Sequence, residues 1–213
     1  MIERVNKVSF RGALARTRNC ANFLHDSRGV AAVEFGLIAL PFLLLVLAIL
    51  EYSYGNFAQS RLDAVVQQTS REIMTGYVQD QSVAGKPLDA NQFRTQIICP
   101  KLPAIMSCAD LYVDVQSFDA PAGGGAPTTT PYANYVNATK SGLVPPALDN
   151  SKNAYCVGGA KKYVVIRVAY PTPVITTAAL FPSYSTYKGR KSRVVTSVAT
   201  FKNEPFPTAY AGC

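Results

Sequence analysis

Residues 30–50 read VAAVEFGLIALPFLLLVLAIL, an apolar run in which Glu34 is the only charged residue. As an α-helix, at about 1.5 Å per residue, this run would span roughly 32 Å, enough to cross a hydrocarbon core about 30 Å thick. A helix buried in a soluble core would show polar residues at helical spacing, and none occurs from Gly36 to Leu50. The run therefore predicts a membrane-spanning helix.

A cleaved secretory signal is the main alternative for this run. The polar segment that precedes it is long for such a signal, and the residues after Leu50, EYSYGNFAQS, contain no convincing small-x-small cleavage site. We therefore expect the apolar run to be retained. Pro41 removes one backbone hydrogen bond and should kink or loosen the helix locally.

Basic residues are concentrated before the apolar run. Residues 1–29 hold six basic and two acidic residues, within a chain of 213 residues and net charge +8. A basic arm can bind nucleic acid, but one that directly precedes a membrane helix fits the positive-inside rule. We therefore expect residues 1–29 in the cytoplasm, residues 51–213 across the membrane, and no nucleic-acid partner.

Helical periodicity continues beyond the membrane run. Apolar or small residues recur every three or four positions with polar side chains largely between them, which predicts an amphipathic helix over residues 51–78. Continuous with the membrane helix, it would reach from Val30 to Tyr77, about 48 residues or roughly 70 Å. The stripe consists of Ala58, Leu62, Val65, Val66, Thr69, Ile73 and Tyr77.

The remaining residues, 79–213, contain strand patterns. The predicted strands are Leu111–Phe118, Lys162–Tyr170, which Pro171 should end, and Arg193–Lys202. Asp89 is expected to cap a short helix that ends near Pro100. The predicted fold class is α+β, with the long N-terminal helix packed on a small, mostly antiparallel sheet of three or four strands.

A low-complexity segment interrupts these strands. Ala120–Pro131 reads APAGGGAPTTTP, whose glycines and prolines do not support a regular element. We assign an irregular loop to residues 119–150. Loops of this length are commonly functional or disordered.

Five cysteines divide between the two sides of the membrane. Cys20 lies on the predicted cytoplasmic side, whereas the other four lie on the outer side, an even number in an oxidising compartment. Four cysteines allow three pairings; proximity favours Cys99–Cys108, which leaves Cys156–Cys213. The alternative, a four-cysteine metal site, is disfavoured because no Cys-x2-Cys spacing exists.

No catalytic constellation is present in the sequence. The single histidine, His25, precedes the apolar run, which excludes histidine-dependent nucleophilic catalysis and histidine-ligated zinc after it. Asp110 and Asp114 are four residues apart and are expected to be solvated carboxylates. Gly123–Gly125 lacks the Lys-Ser/Thr pair and the helix of a phosphate-binding loop. We expect no enzyme activity and no cofactor.

The junction before the apolar run resembles the processing site of type IV prepilins. Arg28 and Gly29 are followed by four uncharged residues, then by Glu34 and Phe35 and the apolar run. The resemblance implies that a membrane prepilin peptidase cuts between Gly29 and Val30 on the cytoplasmic side. The new α-ammonium of Val30 in one subunit would then neutralise Glu34 of its neighbour, because a buried charge is tolerable only if it is paired.

The longer run GVAAVEFGLIALPFLLLVLAILEYS is similar to TadE-like proteins, which are minor pilins or pseudopilins of the tight-adherence (Flp, type IVc) pilus system. The segment Phe201–Phe206, FKNEPF, and the stretch from Cys99 to Cys108 followed by LYVDVQSF are also similar to that family. Residues 120–150 match none of its patterns. The partners implied are the prepilin peptidase, other pilins bound through Val30, Glu34 and Phe35, the pilus assembly machinery and membrane lipid.

These observations predict a non-enzymatic protein of the bacterial inner membrane with a periplasmic module. After cleavage at Gly29 it would take part in assembly or priming of the pilus. One alternative is an uncleaved single-pass component of the pilus secretion machinery, in which Glu34 has no role. Another is a membrane-anchored hydrolase, which the missing histidine disfavours although carboxylate or Ser-Lys chemistry stays open.

Overall fold

One long helix, α1, extends from Val30 to Met74 and includes Pro41. The computed structural model describes residues 29–83, 86–119, 135–137, 139, 142, 144–176 and 184–207. The chain divides into two units, one up to Leu47 and one from Ala48 onward. In the first unit the described residues belong almost entirely to α1, and none of them is buried.

The C-terminal end of α1 differs from the expectation that it reaches Tyr77. The helix ends at Met74 because Gly76 has a φ of 86°, a left-handed conformation that glycine adopts readily and other residues rarely do. Tyr77 begins a separate short helix, α2 (Tyr77–Asp80), and its side chain is exposed instead of completing the buried stripe.

A four-stranded antiparallel sheet forms the second layer, which confirms the α+β prediction. A two-stranded hairpin, β1 (Ser82–Val83) and β2 (Lys86–Pro87), precedes it. The main sheet has the order β3-β4-β6-β5. Its strands are β3 (Tyr112–Phe118), β4 (Tyr163–Pro173), β5 (Ser185–Tyr187) and β6 (Arg190–Lys202).

Two strands are longer than predicted. β4 continues through Pro171 to Pro173 because its pairing with β3 ends at Ala169, opposite Tyr112, so that beyond this point β4 pairs only with β6. Proline is tolerated where one side of a strand is unpaired. β6 begins at Arg190 because it forms a hairpin with β5, a strand that the sequence pattern does not place.

Asp89 caps α3 (Ala90–Gln92), as predicted. Its carboxylate accepts a hydrogen bond from the Gln92 backbone N–H, and the Gln92 side chain accepts one from the Asp89 N–H. The two reciprocal bonds satisfy backbone donors that a helix start leaves free. The helix continues as a π-helical segment, Phe93–Ile98, and a 3-10 turn, Cys99–Lys101.

The hydrophobic core lies between α1 and one face of the sheet. Every residue of the predicted stripe except Tyr77 is buried. Burying an aliphatic side chain such as Leu62 contributes roughly 1.5–3 kcal/mol. The sheet contributes Val113, Val115, Val164, Ile166, Val168 and Val195 to this core, and Phe93, Ile97 and Ile98 close it at one side.

The opposite face of the sheet is buried around an ion pair. Asp114 of β3 and Arg167 of β4 are cross-strand neighbours, and Arg167 Nη2 lies 2.8 Å from Asp114 Oδ2. Arg167 also donates to the Val144 carbonyl and stacks over the Tyr135 ring. The expectation of a solvated Asp114 is therefore wrong, because the described part of the 119–150 loop covers this face.

Candidate functional site

The predicted cleavage position lies at the start of α1. Gly29 directly precedes the helix, which begins at Val30, and both residues are exposed. A Cβ added at Gly29 would meet no atom within 4 Å. Neither residue is covered by the part of the chain that the structure describes.

Glu34 lies about one helical turn after Val30, on an exposed surface of α1. No described residue forms an ion pair or hydrogen bond with its carboxylate. The adjacent Phe35 ring is 74% exposed. A carboxylate of this kind is stable in water, but it needs a partner when its surroundings become apolar.

The apolar run exposes its large side chains around the whole helix. No residue of α1 from Val30 to Leu50 is buried. Exposed side chains include Val33, Leu37, Ile38, Leu43, Ile49 and Leu50. Contiguous apolar surface of this extent is unfavourable in water and is typical of contact with lipid or protein. One N-terminal helix of this kind fits a single-pass membrane protein.

Glu51, the first charged residue after the run, holds the segment that follows β4. Its Oε2 accepts hydrogen bonds from the Ile175 N–H at 2.9 Å, the Thr176 N–H at 2.6 Å and the Thr176 hydroxyl at 2.6 Å. Residue spacing does not predict this contact. A glutamate directly after an apolar run is visible in the sequence, but its partners are 124 and 125 positions away.

A cavity of about 470 Å³ lies at the end of the sheet where β4 ends and β6 begins. Its lining includes Tyr54 of α1, Tyr170 of β4, and Lys188 and Arg190 of the β5–β6 hairpin. Burial, with a smaller contribution from the nearby Tyr170 hydroxyl, raises the pKa of Tyr54 to about 12. Tyr54 therefore stays neutral at physiological pH. In the described ranges no cluster of histidine, cysteine or acidic residues could hold a metal ion.

Asp110 lies at the edge of this cavity and is not a free carboxylate, contrary to expectation. It belongs to a 3-10 turn, Cys108–Asp110, and accepts hydrogen bonds from the Lys188 ammonium at 2.6 Å and the Tyr187 hydroxyl at 2.7 Å. The Lys188 hydrogen bond holds the pKa of Asp110 below its usual value, and the Asp110 partner raises the pKa of Lys188. Asp110 thus attaches the β5–β6 hairpin to the rest of the module.

The FKNEPF segment, at the end of β6, contacts both residues 157–159 and the end of α1. Asn203 is buried, and its Nδ2 group donates to the carbonyls of Val157, Gly158 and Gly159 at 3.0–3.3 Å. The Glu204 N–H donates to the Met74 carbonyl at the end of α1. These contacts give the segment a structural role, because they satisfy backbone carbonyls that would otherwise lack donors.

Three described cysteines of the unit that begins at Ala48 form disulfides. Cys99 and Cys108 are bonded to each other. Cys156 is also disulfide-bonded, and its Sγ lies 2.7 Å from the Ser117 hydroxyl. Cys213, which a Cys99–Cys108 pairing would leave for Cys156, lies outside the described residues, as does Cys20.

Comparison with known families gives one finding. Residues 29–71 match the family model described as TadE-like protein. No curated protein and no solved structure matches the chain. The match covers Gly29, Val30, Glu34 and most of α1, but neither the FKNEPF segment nor the sheet.

This match suggests a component associated with the tight-adherence pilus. The N-terminal segment of the chain, residues 29–71, is TadE-like, as its sequence predicted.

Proposed function

We propose that this chain is a prepilin-type minor pilin or pseudopilin of a tight-adherence type IV pilus. The prepilin peptidase would cut between Gly29 and Val30, and the shortened subunit would take part in assembly or priming of the pilus. The observation that carries the proposal is the arrangement at the start of α1. The helix begins at Val30, and the exposed Glu34 carboxylate lies one turn further on without a partner among the described residues.

The proposed role of Glu34 is to pair with a second copy or another pilin. An unpaired carboxylate costs about 2.5–3.5 kcal/mol at the centre of a membrane helix and less near the interface. Cleavage would create an α-ammonium at Val30, and this group on one subunit would offset the cost for Glu34 on the next. Phe35 and the surrounding exposed apolar side chains would supply the helix–helix contact.

The proposed location is the bacterial inner membrane, with residues 1–29 in the cytoplasm and the outer module in the periplasm. The six basic residues that precede the apolar run support this orientation. The Cys99–Cys108 disulfide supports an oxidising compartment for the module. The partners would be the prepilin peptidase, other pilins, the assembly machinery and membrane lipid.

The cleavage step is tested by the intact mass of the protein from a strain with an active prepilin peptidase. We expect a chain that begins at Val30, and an uncleaved chain for Gly29→Leu. Gly36→Leu is the matched control, because a Cβ at either glycine meets no atom within 4 Å. A wild-type chain that keeps Met1 and still supports pilus formation would favour the uncleaved component of the secretion machinery.

The pairing step is tested by Glu34→Gln. We expect this variant to be cleaved normally but to restore few or no pili in a strain that lacks the wild-type protein, because it cannot pair with the Val30 ammonium. Pilus formation at the wild-type level by a cleaved Glu34→Gln chain would contradict the pairing role and leave the cleavage proposal standing.

A further inference from the structure

The β5–β6 hairpin carries a cluster of basic side chains. Lys188, Arg190, Lys191 and Arg193 lie within six consecutive residues, and all four are exposed. Lys188 is paired with Asp110. For the other three, no acidic partner occurs among the described residues. We call these four residues the basic hairpin patch.

Hydrogen bonds place this patch at the level where α1 leaves its apolar run. The Val174 N–H donates to the Lys191 carbonyl, and the next N–H along the chain, that of Ile175, donates to Glu51. Glu51 directly follows Leu50, the last residue of the run. Arg193 lies close to α1 as well, because a Cβ added at Gly55 would lie 3.6 Å from Arg193 Nη1.

The level of Glu51 corresponds to the polar headgroup layer of a bilayer. A helix rises about 1.5 Å per residue, so Glu51 lies within a few ångströms of the end of the run. Headgroup layers extend roughly 5–7 Å beyond the hydrocarbon on each side. Tyr52, which is exposed, and Tyr54 also lie at this level, where aromatic residues are enriched in membrane proteins.

An exposed apolar side chain accompanies the basic residues. Ile175, whose backbone is held by Glu51, is 81% exposed. Basic side chains beside an exposed apolar one suit an anionic lipid surface, where ammonium and guanidinium groups bind phosphates and the apolar group enters the interface. A second protein copy would have to supply acidic groups at the same level.

We infer that the basic hairpin patch binds the anionic phospholipid headgroups of the membrane that α1 enters. This contact holds the outer module against the bilayer surface before any assembly. It rests on insertion of the apolar run into a membrane but not on cleavage at Gly29 or on a role in the pilus.

The experiment compares lysine reactivity in two bilayers. The full-length protein is reconstituted in nanodiscs of phosphatidylcholine alone, or of phosphatidylcholine with about one third phosphatidylglycerol, and acetylation rates are measured by mass spectrometry. We expect acetylation of Lys191 to be about five-fold slower in the anionic bilayer, and the difference to disappear at high salt. Lys161 and Lys202, at the opposite end of the sheet and exposed, are internal controls and should not change.

A double variant tests whether the slower acetylation of Lys191 depends on the neighbouring basic side chains. Arg190→Gln with Arg193→Gln should remove most of the Lys191 protection while leaving the apolar run unchanged. Equal Lys191 rates in both bilayers would overturn the inference. Protection that depends on the protein-to-lipid ratio and not on phosphatidylglycerol would also overturn it, in favour of contact between copies. Failure of Gly29 cleavage would not alter any of these results.

Discussion

Phe206 packs directly against Gly76, the left-handed residue that follows the end of α1. A Cβ at Gly76 would lie 2.6 Å from Phe206 Cγ, so only glycine fits beneath this ring. Two residues earlier, the Glu204 N–H donates to the Met74 carbonyl. The ring and the hydrogen bond together attach the end of the chain's last described segment to the end of its longest helix.

Gly76→Ala should therefore destabilise the unit that begins at Ala48 by about 2–4 kcal/mol, from its left-handed φ and from the clash with Phe206. Gly189→Ala is the matched control. Gly189 also has a positive φ, of 76°, but a Cβ there meets no atom within 4 Å, so about 1 kcal/mol is expected. Urea unfolding of the detergent-solubilised chain measures both values. An equal loss of unfolding free energy in Gly76→Ala and Gly189→Ala would contradict the role of Phe206.

Removal of one partner of the buried Asp114–Arg167 pair should cost about 3–5 kcal/mol, because the other charge stays buried. Arg167→Met is the test variant, because it leaves the Asp114 carboxylate buried without its cation. It also removes the hydrogen bond to Val144 and the contact with Tyr135. The exposed Lys152–Asp149 pair is the control, and Lys152→Gln should change the unfolding free energy by less than about 1 kcal/mol. A loss below about 1 kcal/mol for Arg167→Met would show that the loop does not bury this pair.

Loss of the Cys99–Cys108 disulfide should lower the unfolding free energy by roughly 2.7 kcal/mol, the chain-entropy value for a loop of about ten residues. The variant is the double substitution Cys99→Ser, Cys108→Ser, which leaves Cys156 untouched. Urea unfolding without reductant compares it with wild type. An unchanged midpoint would indicate that the segment between the two cysteines is equally ordered without the bond.

Glu51→Gln should expose the segment after β4 to solvent exchange. The carboxylate accepts three hydrogen bonds at one oxygen, and charge-assisted bonds are about twice as strong as neutral ones. We expect amide hydrogen exchange at Ile175 and Thr176 to accelerate about ten-fold. Glu72→Gln is the control on the same helix, because Glu72 pairs with Lys101 and should leave these two amides unaffected.

The attachment of the hairpin through Asp110 should be lost in acid. The pKa of Asp110 is lowered in the folded protein, so its stabilising effect is complete above the ordinary value of 3.8 and disappears as pH falls through the folded value. The pKa of Lys188 is raised, so its effect is complete below 10.5 and is lost only at higher pH.

The difference in unfolding free energy between wild type and Asp110→Asn measures this attachment. It should be constant between about pH 5 and pH 9 and should shrink toward zero as the pH falls below 3.8. A difference that does not change with pH across the acid range would show that the carboxylate charge is not involved.

The features predicted from the sequence are those that depend on local repetition. The long apolar helix, the buried stripe from Ala58 to Ile73, the cap at Asp89 and the three longer strands follow from residue spacing, because helix and strand periods are properties of neighbouring residues. Even so, the pattern extended α1 to Tyr77 and ended β4 before Pro171. A left-handed glycine and a one-sided strand edge decide those two boundaries.

By itself, the sequence determined the apolar run, long enough to span a membrane, with its single acidic residue, Glu34, and the similarity of residues 29–71 to TadE-like proteins. Only the tertiary structure decided that Glu51 holds Ile175, that Asp114 is buried with Arg167, and that the basic hairpin patch lies level with the end of the apolar run. Each of these relationships joins residues that are far apart in the chain. Their partners are set by how the sheet packs on α1, and no local period encodes that packing.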